Sequence, residues 1–261
     1  MFSFILQIKY FIIIKVGEMM EAFNKLIKNK KTLVFLDLEG TQFSHEIIAI
    51  GAVKCKIDEN GKIQRGNQKK FKCYVKSLGC IGRFVQNMTN INEEILREQG
   101  LPLESAFAKF KKFVNQPFEQ CAFVTFGSND AKMIIDSITR SEPKNAFIGY
   151  NIVNNCVDFL MFISQFCKDN KNNNYSLVNY LKVFNVAPVG ISHDPLNDAL
   201  DLKNLYSAMN KQKVTLLNEY LKILAKQKIY SAPVKSVIEK LVNGENVTSE
   251  DFIEECKKYL A

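Results

Sequence analysis

A short apolar stretch near the front of the chain carries two acids that a buried strand rarely contains. Residues 33–38 read Leu-Val-Phe-Leu-Asp-Leu, and Glu39 follows directly. Such a run of branched and aromatic residues is typical of a buried β-strand, in which positions i and i+2 point to the same side. Asp37 and Glu39 would therefore lie side by side, and burying two like charges is costly unless a cation offsets them. The stretch predicts a strand that ends in a site for a hard divalent cation such as Mg²⁺ or Mn²⁺.

The alternative explanation for this acid pair is an edge strand with both acids on its solvated face, which would have the same Asp-x-Glu sequence. Its apolar flanks, Leu33, Phe35 and Leu38, leave little room for such a face. Gly40 has no side chain and lets a ligand approach the backbone closely. The flanks therefore favour the cation site, and two later stretches bear on the choice.

Charge and cysteine content narrow the class of protein. The 261 residues include 35 basic and 27 acidic side chains, which gives a net charge of +8. This balance favours a polyanionic partner, although solvated lysine faces and a membrane surface are also compatible with it. The seven cysteines are scattered without Cys-x-x-Cys spacing. We therefore expect a reducing, cytoplasmic location and no zinc site.

The first residues, 1–18, are apolar but interrupted by Lys9 and Lys15. Neither side reaches the ~20 apolar residues needed to span a bilayer, and no small-residue cleavage site follows as in a secretory signal. We predict that this segment lies outside the fold, with Met19 or Met20 as an alternative start.

The remaining pattern predicts one main domain, residues 19–210, and a helical C-terminal extension, residues 211–261. Strands are expected at 33–38, 46–53, 70–75, 121–126 and 145–150, the first three as an antiparallel meander. Helices are expected at 19–30, 92–99, 103–114, from about 129 to 140, and at 156–168, 176–184 and 195–210. Strands followed by alternating strands and helices are typical of an α/β fold with a mixed sheet flanked by helices. Within the extension we expect breaks at Pro233 and at residues 243–244, then a last helix capped by Thr248 with Asp251.

Two further stretches add acids at element ends. Asp130 follows the strand at 121–126 at the start of a helix, where it could meet Asp37 and Glu39, although a helix-capping acid is the simpler interpretation. His193, the second of two histidines, precedes Asp198 by five residues across a helix start marked by Pro195. A surface loop histidine would be the alternative there.

Together these residues carry a family resemblance. Asp37-x-Glu39, Asp130 on a helix after a strand, and His193 five residues before Asp198 resemble the three motifs of the DEDDh 3′→5′ exonucleases. That superfamily has a ribonuclease-H-like fold and includes the proofreading subunit of bacterial replicative polymerase, oligoribonuclease and ribonuclease T. The resemblance covers about residues 32–209, and stretches 46–52 and 88–91 support it.

The resemblance implies a two-metal mechanism. Asp37, Glu39, Asp130 and Asp198 would clamp two Mg²⁺ or Mn²⁺ ions about 3.5–4 Å apart. His193, with a reference pKa near 6.5, would take the proton from the attacking water. The partner would be the 3′ end of single-stranded RNA or DNA, with no membrane role, and protein partners stay undefined.

The pocket for the terminal nucleotide is expected to involve five residues. Backbone N–H groups and the hydroxyl around Gly40, Thr41 and Gln42 would face the sugar. Phe43 or Met88 could stack on or wedge against bases, although such side chains are more often part of the core. Other acids near the motifs are expected to be solvated, namely Asp136, Asp158, Asp194 and Asp201, and His45 to lie on the surface.

The second motif departs from the His-Asn-x-x-Phe-Asp form of many members, since this chain has Phe-Gly-Ser-Asn-Asp at 126–130. It is closer to the branch that contains the histone-mRNA exonuclease and the sporulation-inhibitor-like proteins, so RNA is the favoured substrate. A DNA exonuclease of the proofreading or repair type is the nearer alternative. A non-catalytic nucleic-acid-binding or scaffold protein is the other, but such a protein would be expected to have lost one of the acids, and all four are present.

Overall fold

The computed structural model describes residues 21–66 and 68–260. The predicted N-terminal segment 1–18 and the alternative start at Met19 or Met20 lie outside these residues. The described part of the first helix, α1, covers residues 21–26. It buries Phe23, as its helical spacing predicts, whereas Leu26 is exposed.

A five-stranded sheet organises the domain. Its strands are β1 (Thr32–Gly40), β2 (Ile47–Lys56), β3 (Lys69–Tyr74), β4 (Cys121–Thr125) and β5 (Cys156–Asp158), in the order β3-β2-β1-β4-β5. β1 pairs antiparallel with β2, and β2 with β3, whereas β4 runs parallel to both β1 and β5. The predicted meander and the mixed five-stranded α/β sheet flanked by helices are confirmed.

Helices cover both faces of the sheet. In chain order they are α2 (Arg83–Thr89), α3 (Glu93–Gln99), α4 (Leu103–Val114), α5 (Asn129–Ser141), α6 (Phe147–Asn154), α7 (Phe159–Ile163), α8 (Leu177–Val183) and α9 (Pro195–Lys211), followed by α10 (Lys213–Ala225), α11 (Ala232–Val242) and α12 (Ser249–Leu260). A short 3₁₀ turn, Phe118–Gln120, precedes β4. The structure thus shows helical layers on either side of one sheet, the arrangement of ribonuclease-H-like folds.

The alternation of β1 divides the core into two layers. Leu33 and Phe35 belong to the buried cluster that contains α7, α8 and α9. Leu36 and Leu38 point the other way, into the cluster of α4, α5 and α6. Because side chains alternate along a strand, Asp37 shares the α9 side with Phe35. The acids of β1 therefore face the helix that carries the third motif.

The prediction of a strand at 145–150 is wrong, because residues 147–154 form helix α6. Ile148 and Ile152 are its buried side chains, and their spacing of four is helical. The edge strand β5 lies just after it and has three residues, too few to show a periodicity. The helix expected at 156–168 accordingly begins later, at Phe159.

The C-terminal part is helical, as predicted, and the proposed boundary between residues 210 and 211 falls within the last turn of α9. Leu216 of α10 is fully buried in the same core as α9. The predicted breaks in the helical pattern are present, since α11 starts just before Pro233 and ends just before residues 243–244. Pro233 itself lies in the first turn of α11, where its missing N–H costs nothing. Thr248 and Asp251 cap α12 reciprocally, as predicted, since Asp251 N donates to Thr248 Oγ1 at 3.1 Å and Thr248 N to Asp251 Oδ2 at 2.6 Å.

Candidate active site

Strand β1 carries Asp37 and Glu39 at its carboxyl end. Asp37 lies opposite Gly51 of β2, and the strand register shifts between Glu39 and Gly40. Glu39 is 7% exposed, and Asp37 is half-buried. The predicted pair therefore sits in a protein environment rather than on a solvated edge.

Asp130 is joined to β1 by a hydrogen bond. It lies in the first turn of α5, is 5% exposed, and its Oδ1 accepts from the backbone N–H of Leu38 at 2.9 Å. Leu38 separates the two acids of β1 in the chain, so this bond brings the second motif to the first. The carboxylate is directed at the strand, which argues against a role limited to capping its own helix.

The third motif lies at the start of α9. The backbone N–H of His193 donates to Asp198 Oδ2 at 2.9 Å, and His193 Nδ1 lies 4.0 Å from Glu39 Oε1. The His193 side chain is 48% exposed, and its backbone has a φ of 63°, in the left-handed region that non-glycine residues seldom adopt. The histidine therefore sits in an open loop above a buried acid.

Gly51 explains how α9 comes so close to the sheet. A Cβ atom at this position would lie 2.0 Å from the carbonyl carbon of Pro195. Only glycine permits the first turn of α9 to lie against β2 at that distance. The helix start that carries Asp198 is thus placed directly beside Asp37, the residue that pairs with Gly51.

These residues form a donor set suited to a divalent cation. Ligand atoms of Glu39, His193 and Asp198 all lie within 4.8 Å of one another. Asp130 is close enough to raise the pKa of both Asp37 and Glu39, and Glu39 is close enough to raise the pKa of Asp37. Carboxylate oxygens with a single imidazole are ligands that hard divalent ions accept, so the residues fit the predicted metal.

The protein environment disfavours the ionised form of the four acids of the site. Burial raises the pKa of Glu39 to about 8, with repulsion from Asp198 and Asp130 adding to it. Burial likewise raises the pKa of Asp130 to about 7 and, together with four neighbouring acids, holds the pKa of Asp37 well above its ordinary value. The pKa of Asp198 is raised by burial too, partly offset by the His193 hydrogen bond. A bound cation would reverse these shifts, since it favours the charged form.

Two acids expected to be solvated have structural roles instead. Asp194 caps α9 by accepting from the N–H groups of Leu196 and Asn197, and pairs with Lys72 of β3 at 2.5 Å. Asp201 is buried and accepts from Val189 N at 2.8 Å. The signal for Asp194 was present in the sequence, since an acid directly before a proline is a helix-start pattern.

Asp158 was also expected to be solvated, and it too is engaged. Its Oδ1 accepts from Gly127 N at 3.1 Å and from Met161 N at 3.0 Å, which caps α7 and fastens the loop before Asp130. Asp136 is half-buried on α5, and His45 is exposed, as predicted.

The expected orientation of Thr41 is corrected by the structure. The residue is 2% exposed, and its hydroxyl shares a hydrogen bond with Ser44 Oγ at 2.7 Å and accepts from Glu46 N at 2.9 Å. The N–H groups of Thr41 and Gln42 donate to backbone carbonyls of Glu46 and Ile81. These groups hold the turn together and are not free to face a sugar.

The other expected pocket residues lie on the end of β1, on the turn after it and on α2. Gln42 Oε1 accepts from Phe84 N of α2 at 3.3 Å, and Gly40 is half-buried. Phe43 is 73% exposed, whereas Met88 of α2 is half-buried. Phe84, which the sequence did not single out, is also 65% exposed.

Glu46 is a further residue that pattern reading missed. Its buried carboxylate accepts from Leu78 N at 2.8 Å and Gly79 N at 3.0 Å, from Ser44 Oγ, and from Arg140 Nε at 3.1 Å. Although burial opposes ionisation, these hydrogen bonds together hold its pKa below the ordinary value. Glu46 thereby fixes the loops on one side of the site.

The fold and the acid cluster define a class of protein: a nuclease of the ribonuclease-H-like type whose acids are arranged for divalent metal ions. A family model described as exonuclease matches residues 34–206, more than half of the chain. The chain therefore belongs to the exonuclease family. A direct comparison with curated protein sequences gives no significant match.

Solved structures agree with this fold. The nuclease domain of 3′hExo, a DEDDh family member bound to rAMP, is similar with a TM-score of 0.58 and 16% identity, over 70% of this chain and 93% of that one. A complex described as 3′-end specific recognition of histone mRNA stem-loop by 3′-exonuclease gives 0.56 and 15%, over 70% and 83%. E. coli exonuclease I in complex with an oligonucleotide gives 0.55 and 14%, over 78% and 46%. The chain spans 61% of a full-length 3′-exonuclease, with a TM-score of 0.56 and 16% identity over 70% of this chain.

Proposed function

We propose that this protein is a metal-dependent 3′→5′ exonuclease that removes nucleotides from single-stranded nucleic acid, with RNA preferred. The observation that carries the proposal is the convergence of Glu39, Asp198 and His193, with donor atoms within 4.8 Å, beside Asp37 and the tethered Asp130. An open site at a strand end, with a histidine above buried acids, is suited to hydrolysis of a terminal phosphodiester.

Each residue has a definite task in this scheme. Asp37, Glu39, Asp130 and Asp198 would hold two divalent cations, Mg²⁺ or Mn²⁺. Such a pair, when bound, supplies charge stabilisation for the attacking and leaving oxygens. His193 takes the proton of the attacking water on an imidazole nitrogen. The water oxygen bonds to phosphorus as the bond between phosphorus and the 3′ oxygen of the shortened chain breaks. The 3′ oxygen takes a proton from solvent, and a 5′-mononucleotide is released.

The position of His193 suits a general base. Its backbone is fixed by the bond to Asp198, while its ring is half exposed and free to turn toward a substrate. A base must come within hydrogen-bond reach of the proton it removes, and such contacts often tighten only with substrate. The 4.0 Å separation from Glu39 is consistent with a ring that has not yet engaged.

Direction and substrate rest on motif form and on similar proteins. The Phe-Gly-Ser-Asn-Asp stretch before α5 resembles the branch that includes the histone-mRNA exonuclease. Gly40, Gln42, Phe43 and Met88 are proposed to contact the terminal nucleotide, since they lie on the end of β1, on the turn after it and on α2, which Gln42 contacts. DNA is the competing substrate, and the similarity to exonuclease I makes it a necessary arm of the test.

The direct test is degradation of 5′-labelled single-stranded RNA and of its DNA counterpart with Mn²⁺, Mg²⁺ or EDTA. We expect a metal-dependent ladder that shortens from the 3′ end, faster on RNA. Asp198→Asn should lower the rate at least ~100-fold, because metal ligands supply several kcal/mol and 1.4 kcal/mol is about tenfold. Asp136→Asn, an acid of α5 outside the cluster, is the matched control. Failure of both substrates to shorten under either metal would refute the proposal.

His193→Gln separates the base from the metal ligands. We expect kcat to fall ~100-fold or more, within the range that general-base removal causes, while the Mn²⁺ concentration for half-maximal activity changes little. Titration of activity with Mn²⁺ measures both quantities. Equal losses in turnover and in metal affinity would instead make His193 a ligand.

Two broader proposals concern context. The cysteines of the described residues are free, which supports a reducing, cytoplasmic location, and fluorescence microscopy of a tagged chain would test it. Among residues 21–66 and 68–260, no helix combines the length and apolar character needed to cross a bilayer. Residues 19–210 are proposed as the exonuclease domain and 211–261 as its helical extension, a division that limited proteolysis would reveal.

A further inference from the structure

A basic cavity of about 390 Å³ lies between the β2–β3 connection and the C-terminal half of α9. Lys62 and Arg65 line it from the connection, and Lys203 and Lys211 line it from the helix. Ser207 and Asn210 add neutral polar groups on the same helix face. Among the described residues that line the cavity, none is an acid. The cavity therefore presents four cations and no carboxylate.

The charges of this basic cavity are not neutralised by neighbours. Within the described ranges, no ion pair involves any of its four cations. Lys203 Nζ has one neutral partner, Gln68 Oε1 at 3.4 Å. Burial lowers the pKa of Lys203, and repulsion from Lys70 and Lys211 lowers it further despite an opposing effect of Cys55. Cations crowded in this way would be relieved by a bound anion.

Nearby acids are turned elsewhere. Asp58 accepts from the backbone N–H groups of Asn60 and Lys62 within its own turn. Glu21 and Glu59 line a neighbouring cavity, which shares Lys62 and Lys211 with the basic cavity. The basic cavity itself keeps a positive field, which its partly enclosed walls concentrate.

A row of lysines connects this cavity to the candidate active site. Lys70 and Lys72 alternate along β3, so both lie on one face of the strand, and they pair with Val53 and Gly51 of β2. Gly51 abuts the start of α9 and Val53 packs in the α9 core. Lys72 reaches Asp194 at the mouth of the site, and Lys70 lies near Lys203. The row thus runs from the site to the cavity.

The spacing along α9 suits a strand of nucleic acid. At 1.5 Å per residue, Lys203 lies ~7.5 Å and Lys211 ~20 Å along the helix from Asp198. At 3.4 Å per stacked nucleotide, ~20 Å corresponds to about six nucleotides. Tyr206 is buried, with its hydroxyl donating to Gly61 O at 2.5 Å, so it offers no face for base stacking. The cavity would contact phosphates, which carry no sequence information.

We propose that this basic cavity is a second binding site for the phosphate backbone of the nucleic acid, holding the segment about six nucleotides upstream of the 3′ end. The inference rests on the proposed function, since it takes the same strand to occupy both sites. In this scheme the cavity retains long substrates on the protein, and the acids of the candidate active site carry out cleavage.

The test compares Arg65→Gln combined with Lys203→Gln against a control with the same charge change, Lys109→Gln combined with Lys112→Gln. Lys109 and Lys112 are exposed on α4, which packs on the opposite face of the sheet. Binding of a labelled 20-nucleotide single-stranded RNA is followed by fluorescence anisotropy in EDTA at several salt concentrations. Each lost phosphate contact lowers the slope of log K against log salt by ~0.7 for single strands. We expect ~10-fold weaker binding at low salt and a slope smaller by ~1.4 for the cavity variant alone.

Hydrolysis of a dinucleotide with Mn²⁺ completes the experiment, because its single phosphate is the scissile one and no other phosphate is left to bind the cavity. We expect equal dinucleotide turnover in wild type and cavity variant, with a raised KM only for the long RNA. Unchanged binding and slope in the cavity variant, or equal losses in the control, would overturn the proposal. A failure of inorganic tripolyphosphate to displace the RNA would also overturn it. An inactive wild type that still shows the expected anisotropy difference would refute the proposed function while supporting the cavity.

Discussion

At the scale of single residues, the acids of the site are stabilised poorly by the protein alone. The pKa of Asp37 is raised by burial and by four carboxylates, Asp130, Asp198, Glu39 and Asp194. This arrangement lowers the stability of the metal-free protein and prepares a strong site for cations. Activity and stability therefore make opposite demands on these positions.

Asp37→Asn should show this opposition. We expect cleavage to fall at least ~100-fold, since a metal ligand is lost, while the melting temperature in EDTA at pH 8 rises. Each kcal/mol is worth ~2–4 °C in a chain of this size, so a shift of a few degrees is expected. Calorimetry beside an activity assay checks both, and the rise should shrink as the pH is lowered, because the raised pKa of Asp37 favours its protonation. A lower melting temperature at pH 8 would contradict the argument.

The residues of the three motifs could be predicted from the sequence because acids and a histidine stand out beside apolar strands and at helix starts. The pairing of Asp194 with Lys72 and the contacts of Glu46 could not be predicted, since both depend on partners that lie far away in sequence. Glu46, for example, is engaged by Arg140 and by the turn at 78–79. Sequence spacing alone could not have brought those groups together.

At the scale of elements, the placement of α9 against β2 controls the geometry of the third motif. Gly51 is the position at which the two approach, and the ring of Pro195 begins the helix there. The helix then delivers Asp198 to Glu39 while Asp194 holds its first turn.

Gly51→Ala is expected to disrupt this contact. The new methyl group would overlap backbone atoms that have no side-chain freedom, and overpacking of this kind costs about 1–3 kcal/mol. A shift of ~1 Å in Asp198 could lower turnover ~100-fold. Melting curves and kcat measured on the same preparation test the prediction, and a variant with unchanged values of both would show that the helix moves freely.

Element identity was predictable wherever the pattern was long. The helix at 103–114 and strands β1 to β4 follow their periodicity, whereas β5 has three residues and α6 was taken for a strand. The apolar and aromatic residues of 145–150 favoured that choice. Tertiary packing decided otherwise, since Gly149 allows α6 to approach Ile138 and Ile134 of α5 closely. Helix α2 buries one residue, Val85, so its sequence has no apolar periodicity from which a helix could be predicted.

At the scale of the whole molecule, the raised pKa values link stability to pH. Glu39 goes from an ordinary value of 4.5 to about 8, and Asp130 from 3.8 to about 7. The folded protein then binds more protons than the unfolded chain between pH ~4 and 8. Because the unfolded state binds fewer, stability falls as pH rises through this window.

Denaturant unfolding of the metal-free protein from pH 5 to pH 8 should therefore show a decreasing free energy of unfolding. Millimolar Mn²⁺ should restore more stability at pH 8 than at pH 5, because metal and protons compete for the same oxygens. Asp136→Asn should follow the wild-type profile. A profile that rises toward pH 8 in EDTA would show that the acids are ionised at little cost.

The pairing of Lys72 with Asp194 reaches from the outermost strand to the helix that carries Asp198. Neither residue belongs to the acid and histidine set by which such enzymes are recognised in genomes. A related chain could keep all the acids and the histidine of the motifs and yet have lost the lysine at position 72 or the glycine at position 51. Surveys that separate active from inactive copies by their signature letters alone would count such a chain as active, so these two supporting positions should be scored with them.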